Sequence, residues 1–467
     1  MKSFIKIILL FVSTACTAVP LEIEVKEETR TATDSGVDET SKHILDITSI
    51  MLPKRISTSL GLNDCVFPTL GAVKYDNSRS PQNGFGKSSH PIPVGWLYYN
   101  RDDMENIYYS FGVADNLDRI FSWDKSIKGS EEGILFYSVA ICPNGDIICV
   151  PRSETFFNRD NNPIVYKHDD LEHPVEVYVQ DKNNDGESIR PVGWFSNSGM
   201  SISTEGEYLI FAEYTRPDGE PANIWRVSKP YDNPSNWKIV YASSGKGEEY
   251  REVEHFHSVN YDYFTGRYYV ISGDTARESK IFMSSDEGKS FSVVYGGDGD
   301  ESTRLRARAI NMVFTQDCAY YGSDQGPFLI RVFRDKDGFL DFGTIEIVRD
   351  KEGRETISPP SGYMTGEIFF TCLSDAPYGI LLLGYKGGTG KEGIQILFYD
   401  INKDSFFVLR TLDTINDKQN GFRCDAVNIY QSILEPRFVV GYGNINNYND
   451  LPGNKGNQYM NLALRLL

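Results

Sequence analysis

Residues 266–297 read GRYYVISGDTARESKIFMSSDEGKSFSVVYGG, and the fold turns on them. Three short runs, RYYVIS, KIFMS and FSVVYGG, are rich in aromatic and β-branched residues and separated by Gly, Asp, Ser and Thr. That is the pattern of short strands joined by tight turns. The same pattern stands one unit upstream. GEYLIFAEYT (206–215) aligns with GRYYVISGDT (266–275), NIWRVS with KIFMSS, and NWKIVYAS (236–243) with SFSVVYGG (290–297). Trp237 falls on Phe291, Val240 on Val294 and Tyr241 on Tyr295. The opening glycines, Gly206 and Gly266, lie 60 residues apart.

Each unit predicts a four-stranded antiparallel blade, and blades repeated about an axis make a propeller. Weaker copies of the opening hairpin occur at 137–150, 308–324, 367–385 and 426–443. A period near 60 residues over 46–467 gives an all-β propeller of about seven four-stranded blades, with six as the alternative. No long amphipathic helical pattern interrupts it. The chain ends in NLALRLL, and pairing that late strand with an early one closes the sheet and removes exposed edges.

Within the opening stretch, SSDEGKSF (284–291) has the spacing S-x-D-x-G-x-x-F. Asp286 is placed to accept backbone N–H bonds inside a turn. Gly288 is free to take a positive φ. Ser284 can hydrogen-bond the same turn, and Phe291 is placed to pack between blades. This octapeptide resembles the Asp-box of the sialidase-like (BNR-repeat) propellers. A degraded copy, SWDKSIKG (122–129), keeps Ser122 and Asp124 but loses the glycine. The resemblance implies a structural role for the box, away from any catalytic face. It also implies an arginine triad, an acid/base aspartate and a tyrosine–glutamate pair in true sialidases. Their F/Y-R-I-P motif has no match in this chain; KRIS around Arg55 departs from it, and the triad does not map onto these residues.

The formal net charge is −18, which repels a phosphate backbone and argues against nucleic acid as a partner. Lys2 and Lys6 flank the start of the apolar run IILLFV, and small residues follow in STAC, so 1–18 reads as an export signal. STAC resembles a bacterial lipobox ending at Cys16, which implies a lipid anchor and a cell-envelope lipoprotein; cleavage after Ala18, giving a soluble periplasmic or secreted product, is the alternative. Residues 19–45 are acidic and rich in Thr and Ser and read as a flexible tether; 46–467 reads as one domain, expected to be a monomer. Six cysteines besides Cys16 are sparse and sit in apolar patterns, the setting of small buried hydrophobes.

The candidate chemistry lies where inner strands begin. REVEHFHSVNYD (251–262) carries His255 and His257 two apart, on one face of a strand. They are suited to proton transfer or, in a second reading, to a divalent metal ion; no other cofactor is implied. Arg306 and Arg308 open RARAINMVF and are placed to bind a carboxylate. Glu367 and Asp425 open the next inner strands as candidate acid, base or nucleophile. DKNNDGES (181–188) has the D-x-N-x-D-G start of a calcium loop but Val192 where the closing Glu belongs, and reads as a hairpin tip. GGTGKEG (387–393) places Glu392 where a phosphate loop needs Ser or Thr, and is rejected. The expectation is an exported, sialidase-like enzyme on extracellular glycan, a glycoside hydrolase on acidic sugars; a non-catalytic binding propeller and a metal-dependent lyase or hydrolase are the alternatives.

Overall fold

In the computed structural model, most residues from 142 to 413 are described, with side chains chiefly between 140 and 407. Outside that range the main chain of the strands named below is described. Cys16, the second box copy beyond Ser122, Glu367 and Asp425 lie outside the described residues. All described residues belong to one compact unit, Asp38–Leu467.

The unit is built from antiparallel meanders. After β1 (Ile44–Asp46) come β2 (Cys65–Gly71), β3 (Ile92–Asn100), β4 (Asp103–Phe111) and β5 (Asp118–Ser122). Next are β6 (Leu135–Ile141), β7 (Ile147–Arg152), β8 (Ile164–Lys167) and β9 (Asp170–Glu176). These two meanders join through a parallel β2–β6 pair into one eight-stranded sheet. Then β10 (Met200–Ile202), β11 (Tyr208–Ala212), β12 (Asn223–Ser228) and β13 (Trp237–Ala242) form a four-stranded sheet. So do β14 (Phe256–Asp262), β15 (Arg267–Ser272), β16 (Lys280–Ser284) and β17 (Ser292–Gly296). The short helix α1 (Glu301–Ala307) leads into the next sheet.

That sheet is β18 (Val313–Phe314), β19 (Cys318–Gly322), β20 (Leu329–Phe333) and β21 (Glu346–Ile347). It is succeeded by β22 (Ile368–Asp375), β23 (Tyr378–Tyr385), β24 (Gly393–Asp400) and β25 (Ser405–Asp413). The last sheet holds β26 (Phe422–Cys424), β27 (Asn428–Gln431), β28 (Phe438–Asn447) and β29 (Gln458–Leu466). The first strand completes it: Ile44 pairs with Leu466 and Asp46 with Leu464. An early strand thus covers the edge of a late one, as the sequence led us to expect.

Successive sheets pack face to face, and the period-two alternation of each strand explains how. Tyr268 and Val270 of β15 pack with Ile210 and Ile224 of the preceding sheet. Their neighbours Tyr269 and Ile271 point the other way, onto Phe314, Tyr321 and Ile330 of the following one. Tyr320 and Leu329 then meet Ile380 and Leu397 of the sheet after that. A strand covered on both faces reads as a continuous apolar run, which is why RYYVIS is buried almost throughout while β17, at the outer edge, is only partly covered. The architecture is all-β and propeller-like.

The two aligned units agree residue for residue. Ile224 pairs with Tyr241 and Ile281 with Tyr295, and both pairs are succeeded by a bulge at the same step. Trp237 is fully buried, its indole N–H donating to the Tyr231 carbonyl at 2.8 Å. Phe291 packs against the cluster around Ile210 and Phe282 as expected, but is only half-buried. A longer connection, including the single helical turn Pro234–Asn236, precedes Trp237; the tight box turn leaves Phe291 nearer the edge.

The box is a hydrogen-bonded turn. Ser284 Oγ donates to Asp286 Oδ1 at 2.7 Å and accepts from Gly288 N at 2.9 Å. Asp286 Oδ1 also accepts from the N–H groups of Lys289 and Ser290, both at 3.0 Å. Gly288 has φ +75°, and a Cβ there would lie 2.0 Å from Ile210 Cδ1 of the preceding sheet. Partial burial opposes the charge of Asp286, but hydrogen bonds from Ser290, Ser284 and Lys289 outweigh it and hold the carboxyl down to about 2. Asp286→Ala is therefore expected to cost about 1–3 kcal/mol of stability. Because the folded-state value is depressed, that contribution is complete above the ordinary carboxylate range and vanishes as pH falls through 2. Melting of both proteins at pH 7 and pH 2 checks this; a gap that does not narrow in acid contradicts it.

The three described free cysteines, Cys142, Cys149 and Cys318, are buried. Burial pushes the Cys142 thiol up to about 12, consistent with an inert packing role. Asp181 accepts from Ile239 N at 2.7 Å, which ties the 181–188 hairpin to β13.

Candidate functional site

Strand register separates the two ends of the β14–β17 sheet. Ser284, which opens the box, pairs with Tyr268 at the start of β15. Phe256, between the two histidines, pairs with Ser272 at the other end of β15. The box and the histidine pair therefore occupy opposite ends of one sheet, and the box takes no part in the histidine site.

At the histidine end, the pairing of β14 with β15 slips between Phe256 and Ser258, so His257 is the extra residue of a β-bulge. A bulge re-aims a side chain at a strand end. This one brings His257 Nε2 to 3.1 Å from His255 Nε2, with both rings buried. His257 Nδ1 lies 2.8 Å from the Ala309 carbonyl oxygen. A carbonyl only accepts, so Nδ1 carries the proton and the Nε2 lone pair faces His255. The His255 ring stacks on Tyr214, with ring centroids 4.3 Å apart.

Asp274 joins them from the loop after β15. Gly273 makes the turn possible: its φ is +82°, and a Cβ there would lie 2.2 Å from the Glu278 backbone. Gly273 N donates to the His255 carbonyl at 3.0 Å, which pins the loop to the start of β14. The Asp274 carboxylate then presents Oδ2 to His255 Nε2 at 3.4 Å and Oδ1 to His257 Nε2 at 3.5 Å. Its side chain is 42% exposed whereas those of His255 and His257 are 4% and 3%, so the aspartate is the open member of the group.

Arg308 approaches from the next unit. Its Nη2 lies 2.9 Å from Asp274 Oδ1 and its Nε 3.0 Å from Asp324 Oδ2. Arg308 caps the C-terminus of α1, its N–H reaching the Arg304 carbonyl, and its own carbonyl accepts from Asp324 N at 3.0 Å. Burial disfavours charge on His255, yet the neighbouring carboxylates of Asp274 and Glu254 more than offset it and raise the imidazole to about 9. Burial also works against Asp274, and the two histidines overcome it and hold the carboxyl far below its usual range. Asp324 is shifted up by burial, with Arg308 opposing.

His255, His257 and Arg308 thus meet around Asp274 at one end of adjacent sheets. Arg306 does not behave as expected. Residues 301–307 form a helix capped by Asp300, whose side chain accepts from Ser302 and Thr303 N–H, so Arg306 and Arg308 do not alternate along a strand. Arg306 Nη1 turns back to the Ser302 carbonyl at 2.8 Å. Arg308 is held by two carboxylates of the chain itself. Sequence reading missed Asp274, Asp324 and Tyr214. The signal was present: in the aligned copies GRYYVISGDT and DCAYYGSD, Asp274 and Asp324 close the second strand at the same place.

No family model matches the chain, and no curated protein matches it. Among solved structures it is similar to a GH74 enzyme of Niastella koreensis, at 11% identity and TM-score 0.47, covering 83% of this chain and 54% of that one. It is also similar to a periplasmic gluconolactonase of Pseudomonas aeruginosa, at 9% identity and TM-score 0.39, covering 80% and 93%. Prolyl oligopeptidase B of Galerina marginata matches at 12% identity and TM-score 0.45, covering 80% and 49%. This chain spans about half the length of the first and third of these. Likenesses at these scores carry no argument about activity.

Proposed function

We propose that the chain is an exported, sialidase-like propeller of seven blades that acts as an enzyme on extracellular carbohydrate, with His255, His257 and Asp274 as its reactive centre. Seven is the count if the eight-stranded sheet supplies two blades and the sheet closed by β1 supplies one. The export signal supports the location, and Cys16 is the proposed lipid attachment point.

The observation that carries the reading is the meeting of two buried imidazoles with a half-open carboxylate. Burying two ionisable rings against a carboxylate disfavours folding unless something is gained, and such clusters concentrate at functional sites. The bulge at His257 and the glycine turn at Gly273 both serve this meeting rather than the sheet. Arg308 and Asp324 position Asp274. The non-catalytic reading keeps the same residues as a binding site, and turnover separates the two.

The test is a panel of neutral and uronic- or sialic-acid polysaccharides incubated with the purified chain. The proposal expects turnover of at least one, with kcat falling by about 100-fold or more in Asp274→Asn while the melting temperature holds. Binding without turnover assigns the non-catalytic reading, and turnover unaffected by Asp274→Asn moves the reactive centre elsewhere.

A further inference from the structure

The geometry points to a divalent transition-metal site formed by His255 Nε2, His257 Nε2 and the Asp274 carboxylate. This deepens the proposed reactive centre and rests on the same residues, but its test needs no substrate.

Three lines converge on it. The first is spacing. The two Nε2 atoms lie 3.1 Å apart, and each has a different oxygen of the Asp274 carboxylate at 3.4 or 3.5 Å, near the about 3.3 Å between ligands placed tetrahedrally 2.0–2.1 Å from one ion. Among the described residues this is the one group of three or more His, Cys, Asp or Glu side chains arranged to hold an ion. The second is orientation. His257 donates its Nδ1 proton to the Ala309 carbonyl, the arrangement that turns a metal-binding imidazole's Nε2 lone pair toward the ion. His255 directs its Nε2 to the same point, with Tyr214 stacked against its ring and Glu254 Oε1 3.8 Å from Nδ1.

The third is charge. Among the described ion pairs of the cluster, three carboxylates, those of Asp274, Asp324 and Glu254, lie against the imidazoles and Arg308. Buried charges are paired or hold metals, and this acidic setting favours a bound cation. The two Nε2 atoms lie within hydrogen-bond distance, and the proton such a bond requires occupies the place an ion would take.

The donor set selects the ion. Two imidazoles and one carboxylate suit Zn²⁺ and its first-row neighbours, whereas Mg²⁺ and Ca²⁺ take oxygen ligands. Three protein donors leave one position open for water or a substrate oxygen, the pattern of reactive rather than structural zinc sites. Arg308 contacts the carboxylate and not the imidazoles in the described contacts, so it orients Asp274 without occupying the ion's place.

The test is calorimetric titration of the chelator-treated full chain with Zn²⁺, repeated with Mg²⁺. One Zn²⁺ per chain is expected, with no comparable Mg²⁺ binding. His257→Gln and Asp274→Asn should each weaken Zn²⁺ binding by about 100-fold or more. His173→Ala alters an exposed histidine outside the cluster and should leave it unchanged. Circular dichroism confirms that each variant is folded, and His255→Gln serves if either fails. No Zn²⁺ uptake by the folded wild type, equal uptake of Mg²⁺, or full affinity in His257→Gln overturns the proposal. Zinc binding with no turnover of any polysaccharide keeps the metal site and removes the enzymatic reading, so the two failures are distinct.

Discussion

Glu213→Ala is expected to lower stability by about 3–5 kcal/mol, because it leaves a buried cation without its partner. The Glu213 side chain is fully buried and its two oxygens are saturated. Oε1 accepts from Arg159 Nη1 at 2.7 Å, Trp225 Nε1 at 2.7 Å and Val192 N at 3.0 Å. Oε2 accepts from Arg159 Nη2 at 2.8 Å and from Asn223 N and Nδ2 at 2.8 and 2.9 Å. One carboxylate thus ties the segment before β8 to β12. Its backbone carbonyl accepts from Phe256 N at 2.9 Å and so reaches the start of β14. Alanine satisfies none of the side-chain donors, and buried donors without acceptors are costly. Denaturant unfolding of the two proteins measures the difference; a loss below about 1 kcal/mol contradicts the account.

Arg334→Ala is expected to cost a similar amount, about 3–5 kcal/mol, at the other end of the sheets. Arg334 grips Asp262 bidentately, Nη1 to Oδ2 at 2.7 Å and Nη2 to Oδ1 at 2.9 Å, with side chains 5% and 0% exposed. It also donates to the Thr315 and Gly338 carbonyls. Asp262 ends β14 and Arg334 lies just past β20, so the pair clips adjacent sheets together. Arg334→Lys should restore only part of the loss, since an ammonium lacks the planar fork. The double variant with Asp262→Ala should cost less than the two single losses added, because each single change leaves the other partner buried and unmatched. Additive costs would show that the two groups do not act as a pair.

The repeat made much of the fold legible. Aligning residues 206–243 with 266–297 anticipated strands, their pairing and even the equivalent positions of Trp237 and Phe291, because a strand covered on both faces must be apolar throughout. The site was legible only in part. His255 and His257 were expected to share a strand face through period-two alternation; they meet because a bulge at His257 breaks that alternation, and no residue type announces a bulge. The helix holding Arg306 had its signals, with Asp300 as cap and Glu301 in the first turn, but seven residues are too few for a periodic pattern to stand out against strands. Asp274 sits in a loop, where isolated acids are common; only its match to Asp324 in the next unit marks it.

The measurement that bears most directly on the His255–His257–Asp274 centre is X-ray absorption at the zinc K-edge on the zinc-loaded full chain. The account predicts a first shell of nitrogen and oxygen at about 2.0–2.1 Å, with the outer-shell scattering of two imidazole rings, lost in His257→Gln. A shell of oxygen alone, or one containing sulfur, would place the ion elsewhere and contradict the assignment.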